Sequence, residues 1–290
     1  MIERQYPNLP LCLIATTTST VDTGLLHAIK PRFAAAAGYE LCWRSLGTGA
    51  AIQEGCHGRV DALFVHAQCE EYEFMSCGPG RVREHIMFNE FIVVGPDSLG
   101  SGVISEIFQE IYDECLPFAS RGDNSGTHIR EMQIWNELGV NPFCNPNYYE
   151  TGLGMLLTLE DAAMTEAYCL TDDGTWIRAV ELSVGEVLER VSSAADPQGL
   201  NQYGVISIKA SAFPTPSPCH TINEAAADAF IAWLLSPAGR RCIRRFRIAG
   251  APGMPVFTYN AHQTEPDPPF SCEGTTCPCV PPPTPSRKKK

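Results

Sequence analysis

The chain has 290 residues, 44% of them hydrophobic, and a formal net charge of −12. That supplies apolar material for a large core or two lobes. The acidic balance argues against a general nucleic-acid or acidic-membrane binder, because neither basic surface nor counterion release is available overall. A small anion stays admissible, since backbone N–H groups and one arginine can hold it locally.

In chain order, LCLIA (11–15) has the unbroken apolar run of a buried strand, followed by TTTST (16–20). Leu25, Leu26, Ile29 and Phe33 then fall at helical spacing. YELCWRSL (39–46) alternates as a second strand, GTGAAIQEG opens a short helix, and DALFVHA (61–67) is a third strand. This β-α-β-α-β order is that of a parallel sheet, with ligands expected beyond the carboxyl ends of its strands. FNEFIVVGP (88–96) predicts a strand that stops at proline, 104–116 a helix, and PFASRGD a strand and loop. IREMQIWNEL (129–138) is helical, ETGLGMLLTLEDAAM a loop then a helix, and AYCLTDDGTWI (167–177) a strand, a turn and a helix start. QYGVISIK (202–209) is a further strand, EAAADAFIAWLL (224–235) an amphipathic helix, and 238–246 extends it beyond Pro237. From residue 261 the chain is read as outside the core. It becomes proline-rich, cysteine-bearing and finally basic, ending in RKKK, and residues 265–290 are expected to add no strand or helix.

Thirteen scattered cysteines with no CxxC pair favour disulfides in an oxidising compartment over a zinc site. The alternative is small buried packing residues. Cys272, Cys277 and Cys279 are candidates to tether the tail. No apolar run of about 18 residues predicts a membrane span. No secretory leader is visible in residues 1–15, so an extracellular or periplasmic location implies a leader absent from this sequence.

The chemistry concentrates in hydroxyl- and glycine-rich junctions between strands and helices. SRGDNSGTH (120–128) places Arg121, Asp123, Ser125, Gly126, Thr127 and His128 where a loop opens a helix. Free N–H groups and the positive dipole end make such a place an anion site. Arg121 can grip an oxyanion bidentately, and Asp123 either orients that arginine or accepts a proton from the anion. TTTST offers Thr17, Thr18 and Ser19, more hydroxyls than one helix cap needs. LGTGA adds Thr48, and ETGLGM adds Thr151 and Gly152. TDDGTW reads equally well as a simple turn. Asp123, Ser125 and His128 mimic a catalytic triad in composition, but they are crowded in sequence and no G-x-S-x-G elbow exists. The histidines lack metal-ligand spacing, a P-loop is absent, and the partial G-x-G of LGTGA is weak.

Taken in order, LIATTTSTVDTGLL, LGTGAAIQEG, DALFVHA, FNEFIVVGP, SRGDNSGTHIRE, YYETGLGM and YCLTDDGTW resemble the tungstate-binding proteins of TupA-type ABC uptake systems, over roughly residues 11–250. The tail and the abundant cysteines depart from the bacterial pattern. The resemblance implies an α/β type II periplasmic-binding-protein fold: lobe one from 1–88 plus 205–260, lobe two from 89–204, and crossing strands at 88–96 and 202–209. It implies a non-catalytic monomer that closes on tungstate or molybdate, needs no cofactor or metal, and partners with an ABC transporter permease. A phosphate receptor, an oxyanion-ester hydrolase, and a fold retained for signalling with a degenerate pocket are the competing readings.

Overall fold

The computed structural model describes residues 4–96, 99, 102–181, 184–215, 217–248, 253–269, 271–272 and 275–279. The terminal RKKK lies outside them.

β1 (Leu11–Thr17) is buried along nearly its whole length and pairs in parallel with β2 (Glu40–Leu46) and β3 (Ala62–Val65). A strand covered on both faces needs an unbroken apolar run, as LCLIA provides. Between these strands lie α1 (Thr18–Asp22), α2 (Leu25–Ala37) and α3 (Thr48–Cys56). TTTST thus splits between the end of β1 and a separate one-turn helix, which Gly24, at φ +85°, divides from α2.

After β3 comes α4 (Gln68–Ser76), a polar helix that no apolar period announced. β4 runs from Gly80 to Gly95, starting eight residues before the expected strand. Its first half pairs antiparallel with β9 (Leu200–Ile208), which also pairs with β3. Its second half leaves that sheet and pairs with β7 (Cys169–Asp172) and β8 (Glu189–Arg190). One continuous strand therefore passes from one lobe into the other, and β9 brings the chain back.

The intervening segment holds α5 (Ile104–Asp113), β5 (Phe118–Ser120), α6 (Gly126–Glu137), β6 (Tyr148–Glu150), α7 (Met155–Thr165) and α8 (Asp173–Glu181). Its cores form around Phe108, Phe118 and Trp135 on one side and Leu159 and Leu188 on the other. The first lobe buries Phe33, Phe64 and Phe230 on one face of its sheet and Leu63 and Phe74 on the opposite face. α9 (Glu224–Leu235) covers the first of these faces. Ser236 then turns extended and caps a new helix, α10 (Pro237–Arg245), accepting from the Gly239 N–H. The expected extension of one helix past Pro237 is thus two capped helices. β10 (Thr258–Tyr259) closes the sheet edge beside β4.

Beyond residue 260 no helix or strand occurs among the described residues, but the segment is bolted to lobe one. Disulfides join Cys272 to Cys69, Cys277 to Cys77 and Cys279 to Cys56. Glu265 grips Arg83 through two hydrogen bonds of 2.7 Å, and Gln68 donates to the Pro266 carbonyl at 2.8 Å. Among the remaining cysteines, Cys12, Cys42 and Cys169 are buried packing residues.

Candidate functional site

The hydroxyl- and glycine-rich junctions of lobe one lie at the carboxyl ends of parallel strands, where chain reversal leaves helix N-termini unpaired. Thr17 ends β1 and caps α1. Its Oγ1 lies 2.7 Å from Thr20 Oγ1, 3.2 Å from Ser19 Oγ and 3.1 Å from His66 Nε2. Thr18 is the first residue of α1 and half-buried, and Ser19 Oγ is 3.4 Å from the same His66 nitrogen. Thr48 opens α3 and is buried.

Lobe two brings SRGDNSGTH to face this cluster. A Cβ placed on Gly126 would stand 2.7 Å from His66 Cε1 and 3.0 Å from Thr48 Oγ1. The first residue of α6 therefore touches lobe one through bare backbone. Ser125 caps α6, accepting from the His128 N–H at 3.3 Å, and Thr127 is buried beside it. Asn124 donates to His128 Nδ1 at 3.0 Å. Arg121 is 6% exposed and donates through Nη2 to Asp123 at 2.5 Å.

The hydrogen bonds of His128 and Asp123 in this turn go to backbone N–H groups and Arg121, so Ser125, His128 and Asp123 form no proton relay. The ETG turn is likewise committed. The Thr151 N–H serves the Ser120 carbonyl and the Gly152 N–H the Arg121 carbonyl, each at 2.9 Å. The Thr151 hydroxyl bonds to the Ser120 carbonyl and to Thr158. The structure places Thr151 and Gly152 as braces for the backbone around Arg121.

The crossing strands add residues that sequence reasoning missed. Asn89 and Asn201 face each other across β4 and β9. Asn201 donates to Asn89 at 2.8 Å, and Asn89 donates to Asp172 at 3.0 Å. Asp172 also accepts the Thr175 hydroxyl at 2.6 Å. Tyr203 packs its ring 4.8 Å from His66, centroid to centroid. A signal for His66 existed: it follows a parallel strand at its carboxyl end, where such sheets hold ligands. The polar start of β9 and the TDDGTW turn carried weaker signals.

Five of the ten buried side-chain polar atoms without a partner among the described residues lie here: Thr48 Oγ1, His66 Nδ1, Arg121 Nε, Asn201 Oδ1 and Tyr203 OH. Buried polar groups normally find partners, so such a concentration marks a place built for a polar ligand. Burial foremost pushes His66 down to about 4, and the Arg121 charge adds to this, while Asp172 and Asn201 oppose it. His66 is therefore neutral at physiological pH. A cavity of about 30 Å³ adjoins the cluster, lined by His66, Gly126, Gln133, Asn201 and Pro269 among others. It borders the site without including Arg121, and it holds only a water-sized group. Among the described residues no group of three or more His, Cys, Asp or Glu side chains could hold a metal ion.

Two lobes, two crossing strands and a polar cleft between helix N-termini define a solute-binding protein of the type II periplasmic-binding-protein class. Residues 7–238 match the PBP superfamily domain. The tungstate-binding protein TupA of Peptoclostridium acidaminophilum is 35% identical over 86% of this chain and 85% of its own length. Its namesake from Campylobacter jejuni is 36% identical over 81% of this chain and 86% of its own length. The solved structure of the tungstate-binding protein TupA from Desulfovibrio alaskensis G20 superposes with a TM-score of 0.75 at 34% identity, covering 87% of this chain and 99% of that one. The chain belongs to the PBP superfamily and, within it, to the TupA family.

Proposed function

We propose that the protein is a non-catalytic receptor for a tetrahedral oxyanion, tungstate first and molybdate with it, held between the lobes. Lobe one is taken as residues 1–88 plus 205–260 and lobe two as 89–204, with 261–290 outside both. Thr17, Thr18, Ser19 and Thr48 supply donors from one side. Arg121, Ser125, Gly126 and Thr127 supply them from the other, with Asp123 and His128 in support. Thr151 and Gly152 act one step back, through the backbone they brace.

The observation that carries the reading is the buried Arg121 guanidinium, whose Nε lacks a partner, together with the buried, unpartnered hydroxyl of Thr48. Both Asp123 oxygens already accept N–H groups, one from Arg121 and one from Ser125. Asp123 so engaged orients Arg121, the role that a fully deprotonated anion leaves to it. The names of the relatives point the same way. An ABC transporter permease as partner, an extracellular or periplasmic location and a monomeric state follow from the same reading, and the three disulfides suit an oxidising compartment.

A thermal-shift panel of tungstate, molybdate, sulfate and phosphate tests the proposal. Ligand at a thousand times its dissociation constant should stabilise the protein by about 4 kcal/mol. No shift with tungstate would sink it.

A further inference from the structure

The described arginines divide sharply into two groups. Outside one patch, each forms an ion pair with a carboxylate. Arg32, Arg240, Arg241, Arg244, Arg245 and Arg247 have no such partner among the described residues, and all six lie on or beside α10. In a chain of net charge −12, carboxylates are abundant, so their exclusion from this face is a property of the surface.

α10 holds these charges firmly. Ile243 is fully buried in the core of lobe one, and a Cβ on Gly239 would stand 2.2 Å from the Trp233 carbonyl. With the helix anchored so closely, Arg240 and Arg244 form one exposed ridge and Arg241 and Arg245 another, at the four-residue spacing of a helix face. Like charges at that spacing destabilise an isolated helix, so the fold bears them without local compensation. Each ridge borders its own groove. One, of about 580 Å³, is lined by Arg32, Arg241, Arg245 and Arg247 over Trp233 and Phe246. The other, of about 420 Å³, is lined by Arg240, Arg244, Arg247, Pro255 and Tyr259. Neither groove has an acidic lining residue. Met254, next to Pro255, is 57% exposed.

We propose that this face of α10 is a docking surface for an anionic phospholipid membrane, separate from the interlobe cleft. Arginine forks pair well with phosphate oxygens. Positive charge on both sides of one helix suits an extended anionic plane better than a single small anion in one groove. The apolar groove floor and the exposed Met254 suit the headgroup–acyl boundary. The rest of the molecule is acidic, but solution ions screen it beyond about 10 Å, so the patch dominates at contact and the remainder orients away from the surface.

Flotation of the full chain with phosphatidylcholine vesicles, with and without phosphatidylserine, is the test. Partitioning should require phosphatidylserine, weaken at high salt and persist in millimolar inorganic phosphate. Arg241→Glu with Arg245→Glu should lower the partition coefficient by about 30-fold or more, whereas the double lysine variant keeps most of it. The tungstate response of these variants and their melting should match the parent, since no exchanged side chain enters the cleft or core. Equal binding to pure phosphatidylcholine, or full binding by the double glutamate variant, overturns the proposal. So does a salt-sensitive rise in molecular mass without vesicle binding, which would assign the patch to the acidic groove of Glu106, Glu110 and Asp113 on a second copy. If the glutamate variant does not fold, lipid and salt dependence of the parent chain still decide.

Discussion

The Arg121 guanidinium and the Asp123 carboxylate meet at 2.5 Å, and the second oxygen of Asp123 accepts the Ser125 N–H at 3.1 Å. One carboxylate thus ties the cationic arm of the cleft to the cap of α6. Arg121→Ala removes the charge itself and should weaken tungstate binding by about 10- to 150-fold, the range for a hydrogen bond to a charged group. Asp123→Asn loosens the arm and leaves its charge, so a loss of about tenfold is expected. Titration calorimetry measures both. Tungstate binding retained in Asp123→Asn while phosphate binding vanishes would transfer the site to the phosphate reading.

Gly126 is the point where α6 approaches His66 and Thr48. In Gly126→Ala the new methyl would collide with His66 at 2.7 Å unless the lobes part slightly. The residue is the first of its helix at an ordinary backbone angle, so the unliganded fold should tolerate alanine. The expected result is a tungstate affinity at least about tenfold weaker with a melting temperature near that of the parent. A variant that binds normally would show that Gly126 and His66 do not face each other in the liganded state.

The same arm rests on a buried carboxyl. Glu131 accepts from Ser120 at 2.7 Å, Tyr148 at 2.8 Å and Trp135 at 3.2 Å. Burial foremost pushes it up to about 7 in spite of these donors. An unfolded glutamate titrates near 4.3, so between that value and about 7 the folded chain binds the extra proton. Stability from this group is full below about pH 4, falls as pH rises through 7, and is level above. Urea unfolding from pH 4 to 8 should show a loss of at most about 4 kcal/mol that Glu131→Gln flattens. An identical slope in both proteins would remove Glu131 as its source.

Much of the β-α-β-α-β frame was legible because strands buried on both faces must be written in unbroken apolar runs, as LCLIA and ALFV are. The charged half of β4 was not. Arg83 reads as a loop residue until Glu71 of α4 and Glu265, far along the chain, are seen to neutralise it. α4 escaped for the same reason: its Glu71 is fully buried and accepts from the Ala67 N–H that begins the helix. At the cleft, the loops declared themselves through composition. Asn89, Asn201 and Tyr203 did not, because their proximity depends on strand register.

The bonds from Cys69 and Cys272 close a loop 203 residues apart in sequence. Cross-links over such spans act mainly on the unfolded chain, with typical values of about 2–4 kcal/mol. Cys272→Ser should lower unfolding free energy by that order while leaving tungstate affinity nearly unchanged, as read by urea titration and calorimetry. A reducing agent should lower the parent's melting temperature further, because all three bonds then open.

The outermost of these links, Cys56 to Cys279, spans 223 residues and encloses the whole of lobe two. Topologically the oxidised polypeptide is a covalent ring carrying an amino-terminal arm and a short carboxyl-terminal one. A protease that nicks any loop of lobe two therefore produces no separable fragment: the cut protein migrates as one chain until a thiol reductant releases the pieces.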